Sequence, residues 1–173
     1  MRIIRRIKRL KRRFIESIYS SKYKIKGRIN IFGRVSIDND NIKFGNNVSL
    51  YDGVQIWGNG EIIIGNNVSI GKDTIIFSKS RITIGDDTLI SGQCYIIDSD
   101  HGIKKNKLIR LQEQESVEID IGHDVWIGAG VKILKGVKIS NGTVIGANSL
   151  VNKNTDDYSI NVGSPSRKIG VRD

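Results

Sequence analysis

Aliphatic residues return at every sixth position through one long stretch of the chain: Ile121, Ile127, Ile133, Ile139, Ile145 and Val151. Two residues before the later returns stands Val, Thr or Ser. A helix wants apolar residues at about 3.6 spacing and a half-buried strand wants alternation, so this period fits neither. It fits a coil of three short flat faces, each rung making one short parallel strand and one corner. The aliphatic residue points inward, and Gly or Asn takes the corner, where positive φ is often needed. Stacked coils bury a continuous Ile column, and because each coil touches only its neighbours, the ends need caps.

The same rhythm begins weakly at Ile25, Ile31 and Ile37, slips by one residue, and resumes at Phe44, Leu50, Ile56 and Ile62. Ile64, Ile70, Ile76 and Ile82 form a third run, and Ile84, Ile90 and Ile96 a fourth. The slips are assigned to corners. Together the rungs predict an all-β chain, a parallel β-helix of about six coils over residues 21–160. Between Ile96 and Ile119 the rhythm stops, and a polar insertion, 98–118, takes its place. A loop this long inside a compact fold is usually functional. The tail 161–173 holds the only proline, Pro165, and is expected to cap the solenoid.

Ahead of the repeats, residues 2–19 (RIIRRIKRLKRRFIESIY) place Ile3, Ile4, Ile7, Leu10, Phe14, Ile15 and Ile18 on one arc, with Lys11 intruding. This predicts a basic amphipathic helix over residues 1–20. It is too charged for a transmembrane span or a signal-peptide core. Two roles are open: docking on anionic lipid at the cytoplasmic face of a membrane, or capping the open end of the β-helix or packing against sister subunits.

Charge changes the picture less than its total suggests. The chain of 173 residues carries a formal +10, yet eight basic residues and no acidic one lie within residues 1–13. Removing those eight leaves 20 Lys and Arg against 18 Asp and Glu, so the body is nearly balanced. No reading motif or aromatic-interleaved platform accompanies the charge, which argues against nucleic acid. Length and 38% hydrophobic content are those of one domain. Cys94 is the only cysteine, so no internal disulfide forms; a small buried hydrophobe in a reducing, cytoplasmic compartment is expected.

His101 is the candidate general base, because imidazole titrates near neutrality. Asp98 and Asp100 cluster with it where the last rung still holds them, and either is a candidate to orient the ring. His123, at a corner of the rung IGHDVW, reads as an exposed turn residue. Catalytic zinc commonly uses three protein ligands, and the chain has only two histidines, so no metal is expected. No G-x-S-x-G elbow or phosphate loop is present.

The rungs IGHDVWIGAGVKILKGVKISNGTVIGANSLVNKN, the preceding DSDHGI and the tail GSPSRKI together resemble the hexapeptide-repeat acyltransferases. The resemblance covers roughly residues 25–170 and is nearest to the sugar O-acetyltransferases of surface-polysaccharide and lipopolysaccharide assembly. It implies a left-handed parallel β-helix, a homotrimer, and acetyl-CoA in a groove between adjacent subunits. By the same resemblance His101 takes the proton from a sugar hydroxyl during direct transfer, and Trp126 lines the groove. Ala129 and Ala147 match positions whose backbone meets the pantetheine arm. Asn152 stands where the family often has Thr beside a basic residue, Lys153 is that basic residue, placed to meet the CoA phosphates, and Arg167 matches the basic residue of the tail that reaches the nucleotide. A further basic position of the galactoside branch is Gly170 here, with Lys168 or Arg172 as substitutes. On the acceptor side Lys79 stands roughly where that branch has an acidic residue, which points away from a free galactoside and toward a polysaccharide or lipid-linked glycan. Tyr51 and Trp57 are candidates to stack on sugar rings, with surface packing as the alternative. Two other functions are weighed against sugar O-acetylation: N-acetylation of an amino sugar, and a noncatalytic solenoid scaffold, which would need no special loop.

Overall fold

The computed structural model describes residues 2–173, with the side chains of residues 6, 7 and 9–173. The helix-arc positions expected for Ile3 and Ile4, and the cations Arg2, Arg5 and Lys8, lie outside the described side chains.

After the helix Arg2–Lys22, short strands wind through three faces. Among the described residues the first face has 8 strands, running from Ile29–Phe32 through Leu89–Ile90, Trp126–Ile127 and Val144–Ile145 to Ser159–Val162 and the antiparallel Arg167–Val171. The second has 6, from Ser36–Asp38 to Leu150–Val151, and the third 5, from Ile42–Phe44 to Lys138–Ile139. Setting aside the antiparallel strand leaves seven parallel rungs on the first face, hence about seven turns. The rhythm predicted about six; Ser159–Val162 adds a rung that lies outside the six-residue pattern. The parallel solenoid is consistent with the left-handed β-helix of hexapeptide repeats.

The Ile column lies where the pattern put it: Ile121, Ile127, Ile133, Ile139, Ile145 and Val151 are all at most 1% exposed. The residues two before the later returns, Val125, Val131, Val137, Thr143 and Ser149, are buried as well. Side chains two apart on a strand share a side, so each rung sends a pair inward. The buried hydroxyls are satisfied: Thr143 Oγ1 donates to the Asp156 carbonyl at 3.1 Å, and Ser149 Oγ accepts from Gly163 N at 3.0 Å.

The slips differ from expectation. Ile62 and Ile64 share the strand Glu61–Ile64 and are both buried, as are Ile82 and Ile84 in Arg81–Ile84. The extra two residues therefore lengthen third-face strands instead of widening corners, and the pleat keeps both Ile side chains inside. Coils here repeat at 20 residues, as Asn47 to Asn67, while later ones repeat at 18, as His123 to Asn141. The corners are polar ladders. Asn47, Asn67, Asp87 and Asp124 hold φ between 53° and 59°, a region Asn and Asp tolerate better than most. Asn47 Nδ2 donates to Asn67 Oδ1 at 3.1 Å and Asn67 Nδ2 to Asp87 Oδ1 at 2.9 Å. One position earlier, the backbone N–H of Asn66 and then its side-chain amide hold the Asp86 carboxyl below the usual range.

The helix closes the N-terminal end. Ile15, Tyr19 and Tyr23 pack on the core, Tyr19 Oη donates to the Val35 carbonyl at 2.7 Å, and Tyr23 Oη to that of Ile37 at 2.9 Å. The expected single apolar arc is thus divided: Ile15 faces the solenoid, while Ile7, Leu10, Phe14 and Ile18 remain exposed. Among the described residues no helix is long and apolar enough to cross a membrane. At the other end Ser159–Val162 and Arg167–Val171 form an antiparallel hairpin. Arg172 Nη1 ties it back to the Asp124 carboxylate at 2.9 Å and the Gly142 carbonyl at 3.0 Å.

Candidate active site

The insertion is an ordered hairpin. It leaves the fourth coil between the second-face strand Tyr95–Ile97 and the third-face strand Ile119–Ile121. Its base pairs Ser99–His101 with Gln114–Ser116 in antiparallel register, Asp100 opposite Glu115 and His101 opposite Gln114. Its tip is organised from within by Gln112, whose Nε2 donates to the carbonyls of Lys104 at 2.9 Å and Lys107 at 2.7 Å, and whose Oε1 accepts from Lys104 N at 2.8 Å.

His101 is exposed at this base, with Nε2 3.4 Å from Gln114 Nε2. Lys79 Nζ donates to Gln114 Oε1 at 3.0 Å, which fixes the amide so that its NH2 faces the ring. In that arrangement Gln114 can donate to Nε2 only when the imidazole proton is on Nδ1, the tautomer that a general base at Nε2 requires. A 3.4 Å bond is near the outer limit of a useful hydrogen bond, and a stronger donor displaces it easily.

The two carboxylates that the sequence placed beside His101 are committed to other partners. Asp98 is fully buried; its carboxylate accepts from Ser78 Oγ at 2.9 Å, Lys79 N at 2.8 Å and Ser80 N at 2.8 Å. Three charge-assisted bonds offset the cost of burying that charge and pin the corner from which Lys79 projects. Asp100 lies 3.6 Å from Lys135 Nζ, which also bonds Glu115 Oε2 at 3.1 Å. Lys135 thereby bridges two carboxylates that sit opposite each other in the ladder and offsets part of their repulsion. The polar group that does meet His101 is Gln114, whose amide oxygen Lys79 holds in turn, and neither is a sequence neighbour of the histidine. Gln114 is 13 residues away and meets the histidine only through the hairpin register.

The expected cofactor residues form two further groups within the chain. Trp126 is exposed on the first face, its Nε1 3.4 Å from Ser91 Oγ. Ala129 and Ala147 stack at the corner that follows, Asn148 N donating to the Ala129 carbonyl at 2.8 Å; both are exposed. Close stacking there requires Gly128, since a Cβ on it would come 2.6 Å from Ala147 N. At the C-terminal end Lys153 and Arg167 line one cavity of about 190 Å3, together with Lys168 and Asp156; Lys168 is paired to Asp156 at 2.7 Å. Asn152 is exposed beside that cavity without lining it. Tyr51 stacks on Phe32 at 4.9 Å between ring centroids, and Trp57 tilts against Phe77 at 4.3 Å; both remain partly exposed. Among the described residues no three His, Cys, Asp or Glu side chains group to hold a metal ion.

Residues 118–153 match the family described as bacterial transferase hexapeptide (six repeats). No curated protein matches the chain. Among solved structures, the N-acyltransferase AntD from Bacillus cereus, in complex with dTDP and 3-hydroxybutyryl-CoA, superposes with a TM-score of 0.82 at 27% identity, covering 91% of this chain and 88% of that one. A maltose O-acetyltransferase from Clostridium difficile 630 gives 0.67 at 27% identity, covering 91% and 74%. The acetyltransferase domain of PglB from Neisseria gonorrhoeae FA1090 shares the fold, with a TM-score of 0.64 at 14% identity over 93% of this chain and 66% of that one.

Proposed function

We propose that the chain, a hexapeptide-repeat protein of the bacterial transferase kind, transfers an acyl group from coenzyme A to a sugar hydroxyl, with acetyl-CoA as donor. The observation that carries the reading is the exposed His101 ring on its ordered hairpin, Nε2 turned toward the Gln114 amide whose oxygen Lys79 holds. An imidazole in that tautomer has its free lone pair where an acceptor hydroxyl would replace the long contact to Gln114. As Nε2 takes the hydroxyl proton, the sugar oxygen bonds to the thioester carbonyl carbon. The carbon–sulfur bond then breaks, and the proton passes from the imidazolium to the departing CoA sulfur. No covalent enzyme intermediate is needed, and backbone N–H groups at the corners suit the developing oxyanion.

For the donor, Lys153 and Arg167 offer a basic pair for the CoA phosphates, and the stacked Ala129 and Ala147 leave an uncluttered corner for the pantetheine arm. Trp126, Ala129 and Ala147 lie on the first face and the corner after it, whereas His101 projects from the corner between the second and third faces. A homotrimer brings one copy's His101 toward its neighbour's cofactor corner, and this is the assembly proposed. By their likeness AntD supports a CoA donor and the maltose enzyme a sugar acceptor.

N-acylation of an amino sugar is the second reading, favoured by the likeness to AntD, an N-acyltransferase, across 91% of this chain. One assay separates the two: thiol release from acetyl-CoA, with hydroxyl sugars and glycans in one series and amino sugars in the other. An O-acyl product is lost in mild alkali and an N-acyl product survives. Acceptor-dependent release that disappears in His101→Ala supports transfer. Its absence with every acceptor, together with no CoA binding, returns the chain to the scaffold reading.

A further inference from the structure

Capping the solenoid occupies only one side of the N-terminal helix. Ile15, Tyr19 and Tyr23 face the core, and on the same side Glu16 Oε1 accepts from Ile31 N at 3.1 Å and pairs with Arg12 at 3.3 Å. Ile7, Leu10, Phe14 and Ile18, spaced by three and four residues, form a second line along the helix, between 50% and 68% exposed. Arg6 and Arg13 flank that line on one edge and Lys11 and Lys22 on the other; all four are exposed. The capping contacts anchor the helix, so the line is a fixed outward surface.

We propose that this line docks the protein on an anionic lipid bilayer, the helix lying in the plane of the headgroups. Apolar side chains between two rows of cations match the interface, where acyl carbon lies beneath anionic phosphate. Charge argues against the alternatives. A second copy meeting this face would bring the same four cations against its partner's, with no acidic side chain on the line to relieve them. A nucleic acid would satisfy the cations and leave Leu10 and Phe14 in water. The proposal is independent of acyl transfer and assigns the helix a second role beside the cap.

The test is co-sedimentation of the full chain with vesicles of phosphatidylcholine alone and of phosphatidylcholine with phosphatidylglycerol, at low and high salt. The expected result is binding to the anionic vesicles at least about tenfold tighter than to the neutral ones, weakened by salt. Leu10→Glu with Phe14→Glu should abolish it, and Arg6→Gln with Arg13→Gln should weaken it. A circular-dichroism melt like that of the parent chain shows that the exposed substitutions leave the cap intact. No binding, or equal binding to both vesicles, overturns the proposal. So does a change in oligomeric mass in the Leu10/Phe14 variant, which would make the line a subunit seam. Binding of a DNA duplex as tight as that of the vesicles, and indifferent to Leu10 and Phe14, would overturn it too.

Discussion

Gln114 faces His101 across the hairpin, its amide nitrogen 3.4 Å from the imidazole Nε2 and its oxygen 3.0 Å from Lys79 Nζ. This pairing gives the proposed base a defined lone pair, and it can be tested without removing the histidine. Gln114→Glu keeps the contact to Lys79 while turning a carboxylate oxygen toward the ring, which favours the protonated imidazole. A base must be unprotonated, so the acid limb of the kcat/KM profile should move to higher pH. His101→Ala should lower kcat by about 10²–10⁴-fold and leave CoA binding within a small factor. A Gln114→Glu profile that coincides with the parent's would remove His101 from the role of base.

Lys153 and Arg167 line the same small cavity although 14 positions separate them, because the closing hairpin folds the tail back over the last rungs. Both are exposed, so each is worth only a modest amount to a bound phosphate. Changing both to Ala should weaken CoA about tenfold or more by calorimetric titration, which is ~1.4 kcal/mol, and raise KM for acetyl-CoA with little change in kcat. High salt should reduce the parent's affinity more than the variant's.

The fold was legible wherever packing alone dictates the residue. The narrow interior accepts little but Ile and Val, so the column from Ile121 to Val151 could be read directly, and the Asn and Gly corners with it. The Ile62–Ile64 slip was misassigned because two adjacent inward residues on a lengthened strand and a widened corner give the same break in rhythm. His101 stood out by its rarity, but its surroundings depend on register. Asp98 and Asp100 are its neighbours in sequence, yet the strand pleat and the turn send one to the buried corner and the other to Lys135. Gln114 becomes a neighbour only once the hairpin has closed. The helix could be recognised as amphipathic, but which apolar residues cap and which stay outside depends on where Tyr19 and Tyr23 find carbonyls.

Asp98 should behave as a structural carboxylate. Asp98→Ala leaves Ser78 Oγ, Lys79 N and Ser80 N without their acceptor, at a cost of about 3–5 kcal/mol. For a chain of this size that lowers Tm by roughly 10 °C. Asp98→Asn keeps one oxygen acceptor and should cost less. Thermal melts beside kcat measured well below both melting points separate the roles. A large fall in stability in Asp98→Ala, a smaller one in Asp98→Asn, and near-parental kcat in both fit a pinning residue. A loss of kcat without loss of stability would make Asp98 part of the reacting machinery.

Cys94 supplies a prediction with a definite sign. The thiol is 2% exposed, its Sγ 3.2 Å from the Gly128 carbonyl and 3.3 Å from that of Ser91, and burial pushes its pKa up. The folded state therefore favours the neutral thiol over the thiolate more strongly than the unfolded chain does. The stability this contributes is fully present below the ordinary thiol value of about 8.5 and is lost as pH rises through the raised folded value. Urea midpoints should fall with pH across that alkaline window in the parent chain. Cys94→Ser, whose hydroxyl can donate to the same carbonyls and does not ionise there, should fall less steeply. Thiol reagents at neutral pH should leave the folded chain unmodified and react once urea has unfolded it. Labelling of the folded chain as fast as of the unfolded one would place Cys94 on the surface and end this account of it.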